Sequence, residues 1–396
     1  MGLRLTGLQD PFPIGAPLHG VRGALCCMDV VDLTRELILI PSPTWEEGPV
    51  VDRVAQLLDA SGWTVRRQPV TPGRDNLYAT LDDPEVVLST HLDVVPPHLP
   101  VQEDDDWLHG RGSCDAKGIA AAMIAAAERL RAEGERRVGL LFLVGEEDGS
   151  DGARAAGELA EPRGRFLVNG EPTEGRLSIG QKGALRILLE ADGIPAHSAY
   201  PEEGRSAVHL LLDALERIRG VPLPSDPILG DCTLNVGLIQ GGVAPNVLAP
   251  AASATLLIRT VQPSEPLRAA FTEAVSPVGP HLRLSFPLDI PAVRSEPLEG
   301  WDSVTVRYTS DLPLLARWGQ GYQLGPGTIR VAHTDGERIR KSELREAVDA
   351  YVRLCRQLLE VSAASLPHIP RPRGSTSTSL HPESPRRDPR SEEGPA

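Results

Sequence analysis

Apolar residues fall into no sustained rhythm over the first 27 positions, and then one begins at Met28. From there MDVVDLTRELILI repeats them at helical spacing, which predicts a first helix. Three later runs are apolar almost throughout: VVLSTHLDVV (86–95), VGLLFLVG (138–145) and RFLVNG (165–170). Runs of this length read as strands buried on both faces. Between the first two lies AKGIAAAMIAAAERLRAEG (116–134), built of strong helix formers. Strands alternating with helices predict an α/β fold with a mostly parallel sheet flanked by helices.

The rhythm changes at 181. GALRILLEAD reads as a strand, RSAVHLLLDALERI as a helix, TLNVGLIQGG and ASATLLIRTV as strands, PLRAAFTEAV as a helix and LRLSFPLDI as a strand. The order β-α-β-β-α-β predicts a ferredoxin-like α+β unit over 181–291. It reads as an insert in a first domain of residues 28–180. That domain resumes over 292–360 and closes with the helix KSELREAVDAYVRLCRQLLE (341–360). Residues 1–27, with Pro11, Pro13 and Pro17 among glycines, read as a weakly ordered extension. Residues 361–396 are rich in Pro, Ser, Arg and Glu, too polar to offset chain entropy by burial, and read as a disordered tail.

Composition narrows the setting. A chain of 396 residues exceeds what one core usually holds, which agrees with two domains. The net charge of −14 argues against nucleic acid and against anionic membrane surfaces. Cys26, Cys27, Cys114, Cys232 and Cys355 are odd in number and scattered, which favours a reduced, cytoplasmic setting. There is no apolar run of about eighteen residues to span a bilayer, and the start lacks a basic-then-apolar signal pattern.

The candidate chemistry lies at strand ends. His91 and Asp93 stand two apart on one predicted strand and so share a face. Asp115 lies in GRGSCDAKG, which feeds the alanine-rich helix; Glu146 and Glu147 follow LLFLVG; Glu171 follows FLVNG; His333 lies in AHTDGE before the last helix. In open parallel sheets ligands bind beyond the carboxyl ends of the strands. Each residue alone has a mundane reading: Asp115 as a helix cap, the paired glutamates as solvated loop acids, His333 as a surface histidine. Together they are costly, because clustered carboxylates raise one another's pKa. A bound cation removes that cost. Nitrogen and carboxylate donors without sulfur suit Zn²⁺, Co²⁺ or Mn²⁺.

The segments STHLDVV, GRGSCDAKG, GEED, GEPT and HT, in this order over roughly residues 28–360, resemble the signature blocks of a two-zinc amidohydrolase and peptidase family. Acetylornithine deacetylase, succinyl-diaminopimelate desuccinylase and carboxypeptidase G belong to it. The resemblance implies a zinc-exopeptidase-like domain with an inserted dimerisation or lid domain, and a homodimer. It implies two Zn²⁺ per chain, with Co²⁺ or Mn²⁺ as substitutes. His91 and Glu171 would bind one ion, Glu147 and His333 the other, and Asp115 would bridge them. Asp93 would orient the His91 imidazole. Glu146 would be the general base acting on a water that bridges the ions. His197, in GIPAHSAYPEEG, would reach a neighbouring subunit's site, while Asn246, Arg259 and Gly325 would contact substrate. Cys114 beside Asp115 departs from a strict match and reads as packing. The implied reaction is hydrolysis of the amide of an N-acyl amino acid. The alternatives are a dipeptidase or carboxypeptidase acting on a short peptide, or a non-catalytic binding homologue.

Overall fold

The computed structural model describes Leu25, residues 28–158 and residues 164–364, with side chains described through residue 361. The chain enters through α1 (Val30–Ile38) and α2 (Gly48–Ala60), then β1 (Thr64–Thr71), β2 (Arg74–Thr80) and β3 (Val86–His91). Two short strands, β4 (Gln102–Glu103) and β5 (Trp107–His109), precede α3 (Lys117–Ala132). Then come β6 (Val138–Leu143), α4 (Asp151–Glu158), β7 (Phe166–Asn169) and β8 (Leu177–Gln181). The second unit runs β9 (Ala184–Asp192), α5 (Ala207–Arg219), β10 (Ser225–Asp226), β11 (Gly230–Asp231), β12 (Thr233–Gly241), β13 (Ala251–Arg259), α6 (Glu265–Val275) and β14 (Leu282–Ile290). The chain then completes the first unit with β15 (Val293–Arg294), β16 (Ser303–Val306), β17 (Gln320–Gln323), β18 (Arg338–Arg340) and α7 (Lys341–Ala364).

The large sheet has the order β1-β2-β6-β3-β7-β17-β8-β15, with β16 also on β8. Its centre, β6-β3-β7-β17, is parallel, as the apolar runs predicted. The hairpin β1–β2 and the β8–β15 side are antiparallel, and the sequence reading did not place them. The fold is therefore α/β with a largely parallel central sheet. β3 and β6 are buried along their whole length, and α3 is buried almost all round. Its alanines let it lie close to its neighbours, α1 and α7. At the start of α1 the Asp29 side chain accepts the Val31 N–H at 2.8 Å, the cap that fixes where the helix begins.

The second unit has its own core. Its sheet runs β12-β13-β9-β14, all antiparallel, with α5 and α6 on one face. Inward residues alternate along β9 and β13, among them Leu185, Ile187, Leu189, Leu256 and Ile258. The unit leaves and rejoins the first at neighbouring points. Gly183 exchanges two backbone hydrogen bonds with Thr260. A Cβ on Gly183 would come within 2.4 Å of the Ile290 carbonyl oxygen and 2.7 Å of the Ala292 nitrogen, so only glycine lets these crossings run side by side.

Some local expectations shift. The strand carrying His91 stops at that residue, so Asp93 lies beyond it in irregular backbone and not on the same strand. α7 runs to Ala364, four residues past its expected end at 360. Apart from Leu25 and residues 361–364, the expected N-terminal extension and C-terminal tail fall outside the described residues. Leu25 is 4% exposed and packs in the main core, so the segment before Met28 contributes an apolar side chain that its composition did not foretell. No described helix is long and apolar enough to cross a membrane.

Candidate metal centre

Because β3, β6 and β7 are parallel neighbours, their carboxyl ends share one edge of the sheet. His91 closes β3 and is buried. Its Nδ1 lies 3.0 Å from the Asp93 carbonyl oxygen and 3.5 Å from the Asp93 carboxylate, both acceptors, so Nδ1 carries the proton of the neutral ring. That turns the Nε2 lone pair on the Asp115 carboxylate 3.2 Å away, a repulsive pairing unless a proton or a cation lies between them.

Asp93 does more than face the imidazole. Its carboxylate accepts the N–H groups of Glu146 at 3.1 Å and Glu147 at 3.0 Å and the Thr44 hydroxyl at 2.9 Å. Burial alone would raise the Asp93 pKa, but the bonds from His91, Glu147 and Thr44 hold it below the usual carboxylate range. One buried acid thus fixes both the ring and the turn that carries the two glutamates.

Two sets of donors converge. Atoms of His91, Asp115 and Glu171 lie within 4.8 Å of one another, and so do atoms of Asp115, Glu147 and His333. Asp115 belongs to both. His333 Nε2 is 3.4 Å from Asp115 Oδ2 and 2.9 Å from Glu147 Oε2. Burial pushes Glu146 well up, and Glu171 nearby adds to it; burial and Asp115 do the same to Glu171. Burial also raises Glu147 despite its bond to His333. The bonds to Asp115 and Glu147 carry His333 up to about 10. Carboxylates driven towards protonation around two imidazoles mark a place short of positive charge. The nitrogen and oxygen donor chemistry fits divalent zinc, cobalt or manganese.

The other expected residues are distributed differently. Cys114 is fully buried, its sulfur against the Thr328 carbonyl at 3.5 Å, and burial pushes the thiol well up; it packs and stays out of both donor sets. Arg259, at the end of β13, donates to Thr309 Oγ1 at 2.9 Å, and its charge is near enough to Glu146 for each to act on the other. Gly325 sits where a Cβ would come within 2.4 Å of the Glu171 carbonyl oxygen, so it lets its loop close on the backbone of a donor. His197 and Asn246 lie together on the second unit: His197 bridges Val247, and Ser198 N–H donates to the Asn246 carbonyl at 2.9 Å. Both are exposed, and among the described residues neither bonds to the donor cluster.

Sequence reasoning passed over several residues around the centre. Thr44 had no sign beyond its place in a loop. Lys117 is buried, donates to the Ile40 carbonyl at 2.6 Å, and is pushed down to about 7 by burial. Asp311 is a buried carboxyl pushed up to about 7, close enough to affect Glu146 and Glu171. Glu337 and Arg111 form a buried ion pair. The one available hint was an acid closely following His333 in AHTDGE.

Residues 87–357 match the model of peptidase family M20/M25/M40. A peptidase M20 domain-containing protein of Schizosaccharomyces pombe is 35% identical, over 82% of this chain and 84% of its own. A probable carboxypeptidase of Aspergillus clavatus is 34% identical, over 90% of this chain and 89% of its own. A Bacillus subtilis protein described as a dinuclear metal-binding peptidase of the M20 family shares the fold. It has a TM-score of 0.61 and 14% identity, over 84% of this chain and 98% of its own.

Proposed function

The chain belongs to peptidase family M20/M25/M40 and is a hydrolytic enzyme of amide bonds, and from that premise we propose that it is a two-metal carboxypeptidase of short peptides. The observation that carries this reading is the pair of donor sets sharing Asp115 at the ends of β3, β6 and β7, with Glu146 beside them. His91, Glu171 and Asp115 would hold one divalent ion, and Glu147, His333 and Asp115 the other. Such ions, when bound, polarise a carbonyl and acidify water.

The protein's own groups do the rest. Glu146 is not in either donor set, and as a carboxyl group beside both it can accept a proton from the attacking water and return it to the leaving amine. That proton transfer accompanies the break of the C–N bond. Asp93 keeps the Glu146 backbone in place through its N–H, so the base is aimed by a group that does not react. Arg259 is a partly buried cation at the join of the two units, suited to the free carboxylate of the C-terminal residue. An N-acyl amino acid carries the same free carboxylate, so the carboxypeptidase reading gains over the N-acyl amino acid reading from the names of the curated relatives.

The site would be completed by a second copy of the chain. β12 is an edge strand with Leu238 60% and Ile239 58% exposed, a surface that suits pairing with its twin. His197, which among the described residues makes no bond to the donors of its own chain, would then donate a hydrogen bond in the partner's site, with Asn246 beside it. The buried free thiols of Cys114, Cys232 and Cys355 suit a reducing cytoplasm.

The test is a substrate comparison on zinc- or cobalt-loaded protein. Dipeptides and tripeptides with a free C-terminus should release that residue, and their C-terminal amides should resist. Preferential cleavage of N-acetyl amino acids or N-succinyl-diaminopimelate would return the choice to a deacylase. Two bound ions with no turnover of any linear amide would leave a binding homologue.

A further inference from the structure

Glu337 takes no part in the chemistry above, yet its side chain is fully enclosed. Its Oε1 accepts three backbone N–H groups of the segment that carries Asp115: Gly112 at 2.9 Å, Cys114 at 3.2 Å and Asp115 itself at 3.1 Å. Its Oε2 accepts Arg111 Nη1 at 2.7 Å. The same Arg111 nitrogen donates to the Thr334 carbonyl at 3.1 Å, and Arg111 Nε donates to the Pro97 carbonyl at 3.2 Å. Gly110 N–H closes the set on the Glu337 carbonyl at 3.1 Å. These bonds tie residues 110–115 to residues 334–337, stretches more than 200 positions apart in the chain.

The two donor sets differ in what supports them. His91 ends, and Glu171 follows, a buried, hydrogen-bonded strand of the main sheet. His333 stands in a turn with φ of 62°, a left-handed conformation uncommon for residues other than glycine, and its side chain is half exposed. The β5–β18 ladder pairs Trp107–His109 with Arg338–Arg340 and brings the two stretches together, but it ends at His109 and Arg338, short of both donors. Beyond its end the Arg111–Glu337 pair continues the link, holding the Asp115 backbone on one side and the His333 segment on the other.

We propose that Glu337, held by Arg111, is the positioning residue that assembles the Asp115–Glu147–His333 subsite. The proposal rests on the metal reading above and adds an asymmetry to it: loss of Glu337 should weaken one ion far more than the other. A merely structural ion pair would lower the stability of the metal-free protein and leave both affinities alone.

The experiment titrates the full chain with Co²⁺, followed by calorimetry and by visible absorption, with thermal melts of the metal-free proteins alongside. Glu337→Asp keeps the charge but withdraws the carboxylate by one methylene; Glu337→Gln keeps an acceptor oxygen for the three N–H groups. In Glu337→Asp one of the two ions should bind roughly 10–100-fold more weakly, with the other changed far less. Glu337→Gln should fall between it and the wild type. Should Glu337→Asp not fold, Glu337→Gln against wild type carries the same comparison. Two unchanged affinities in a folded variant, or two affinities weakened equally, would overturn the proposal. A wild-type protein that never takes a second ion would instead overturn the metal reading beneath it.

Discussion

Glu146 and Glu147 are adjacent in sequence and held by the same Asp93 carboxylate, yet only Glu147 meets a histidine. Replacing each with glutamine should separate them. Glu146→Gln should lower turnover on the order of 10²–10⁴-fold with full metal content, as loss of a general base does. Glu147→Gln should lower metal content first, read by metal analysis after desalting. Equal metal loss in both would show that the division of labour between them is wrong. The contrast also marks how far residue types speak for themselves. His91, Asp115, Glu147, Glu171 and His333 were legible because their blocks resemble a family's signatures in order and because so many acids and imidazoles at strand ends are costly together, although each alone has a structural use. Glu337 was not legible, because an acid in a loop looks solvated until its partners are seen. Those partners, backbone N–H groups and Arg111, leave no mark in a sequence.

At the scale of elements, the central strands were readable from composition because burial on both faces demands unbroken apolar runs, as in β3 and β6. The β1–β2 hairpin was not, since β1 is largely exposed or half-buried and reads as loop. That hairpin nevertheless steadies the glutamate turn. In β2, Asn76 accepts the Val144 N–H at 3.2 Å and donates to the Gly152 carbonyl at 2.8 Å, gripping both ends of the loop that holds Glu146 and Glu147. Beside it Arg74, 3% exposed, pairs through both arms with Glu47, which is fully buried, and with Asp151 at the start of α4. Glu47→Gln leaves the buried guanidinium with one of its two carboxylate partners, the part-exposed Asp151, and should cost about 3 kcal/mol in denaturant unfolding. Asp151→Asn, whose side chain is 29% exposed, should cost about 1 kcal/mol or less. Equal losses would mean that burial does not set the value of this network.

Over the whole molecule, metal binding and subunit pairing should both be visible in bulk measurements. Removing divalent ions leaves Asp115, Glu146, Glu147 and Glu171 facing one another, so chelated protein should melt at a lower temperature. Zinc added at about a hundred times its dissociation constant should restore about 2.7 kcal/mol per site. A melting temperature indifferent to metal would count against a site in the folded state. Sharing of sites between subunits is tested by mixing. Glu146→Ala and His197→Ala should each be inactive, the latter by about 10²–10³-fold as for a lost oxyanion donor. Their heterodimer should regain one working site, formed by Glu146 of one chain and His197 of the other. Heterodimers as dead as their parents would place His197 outside the partner's site. The adjacency of Gly183, Thr260, Ile290 and Ala292 bears on the gene as much as on the protein. A segment whose two ends nearly touch is a cassette: the codons for β9 to β14 can be cut out and the gap closed by a few residues without stretching the sheet left behind. The half that carries the donor cluster and the half made of β9 to β14 are thus separable by a single edit, and one lineage could trade the second for another while keeping the first intact.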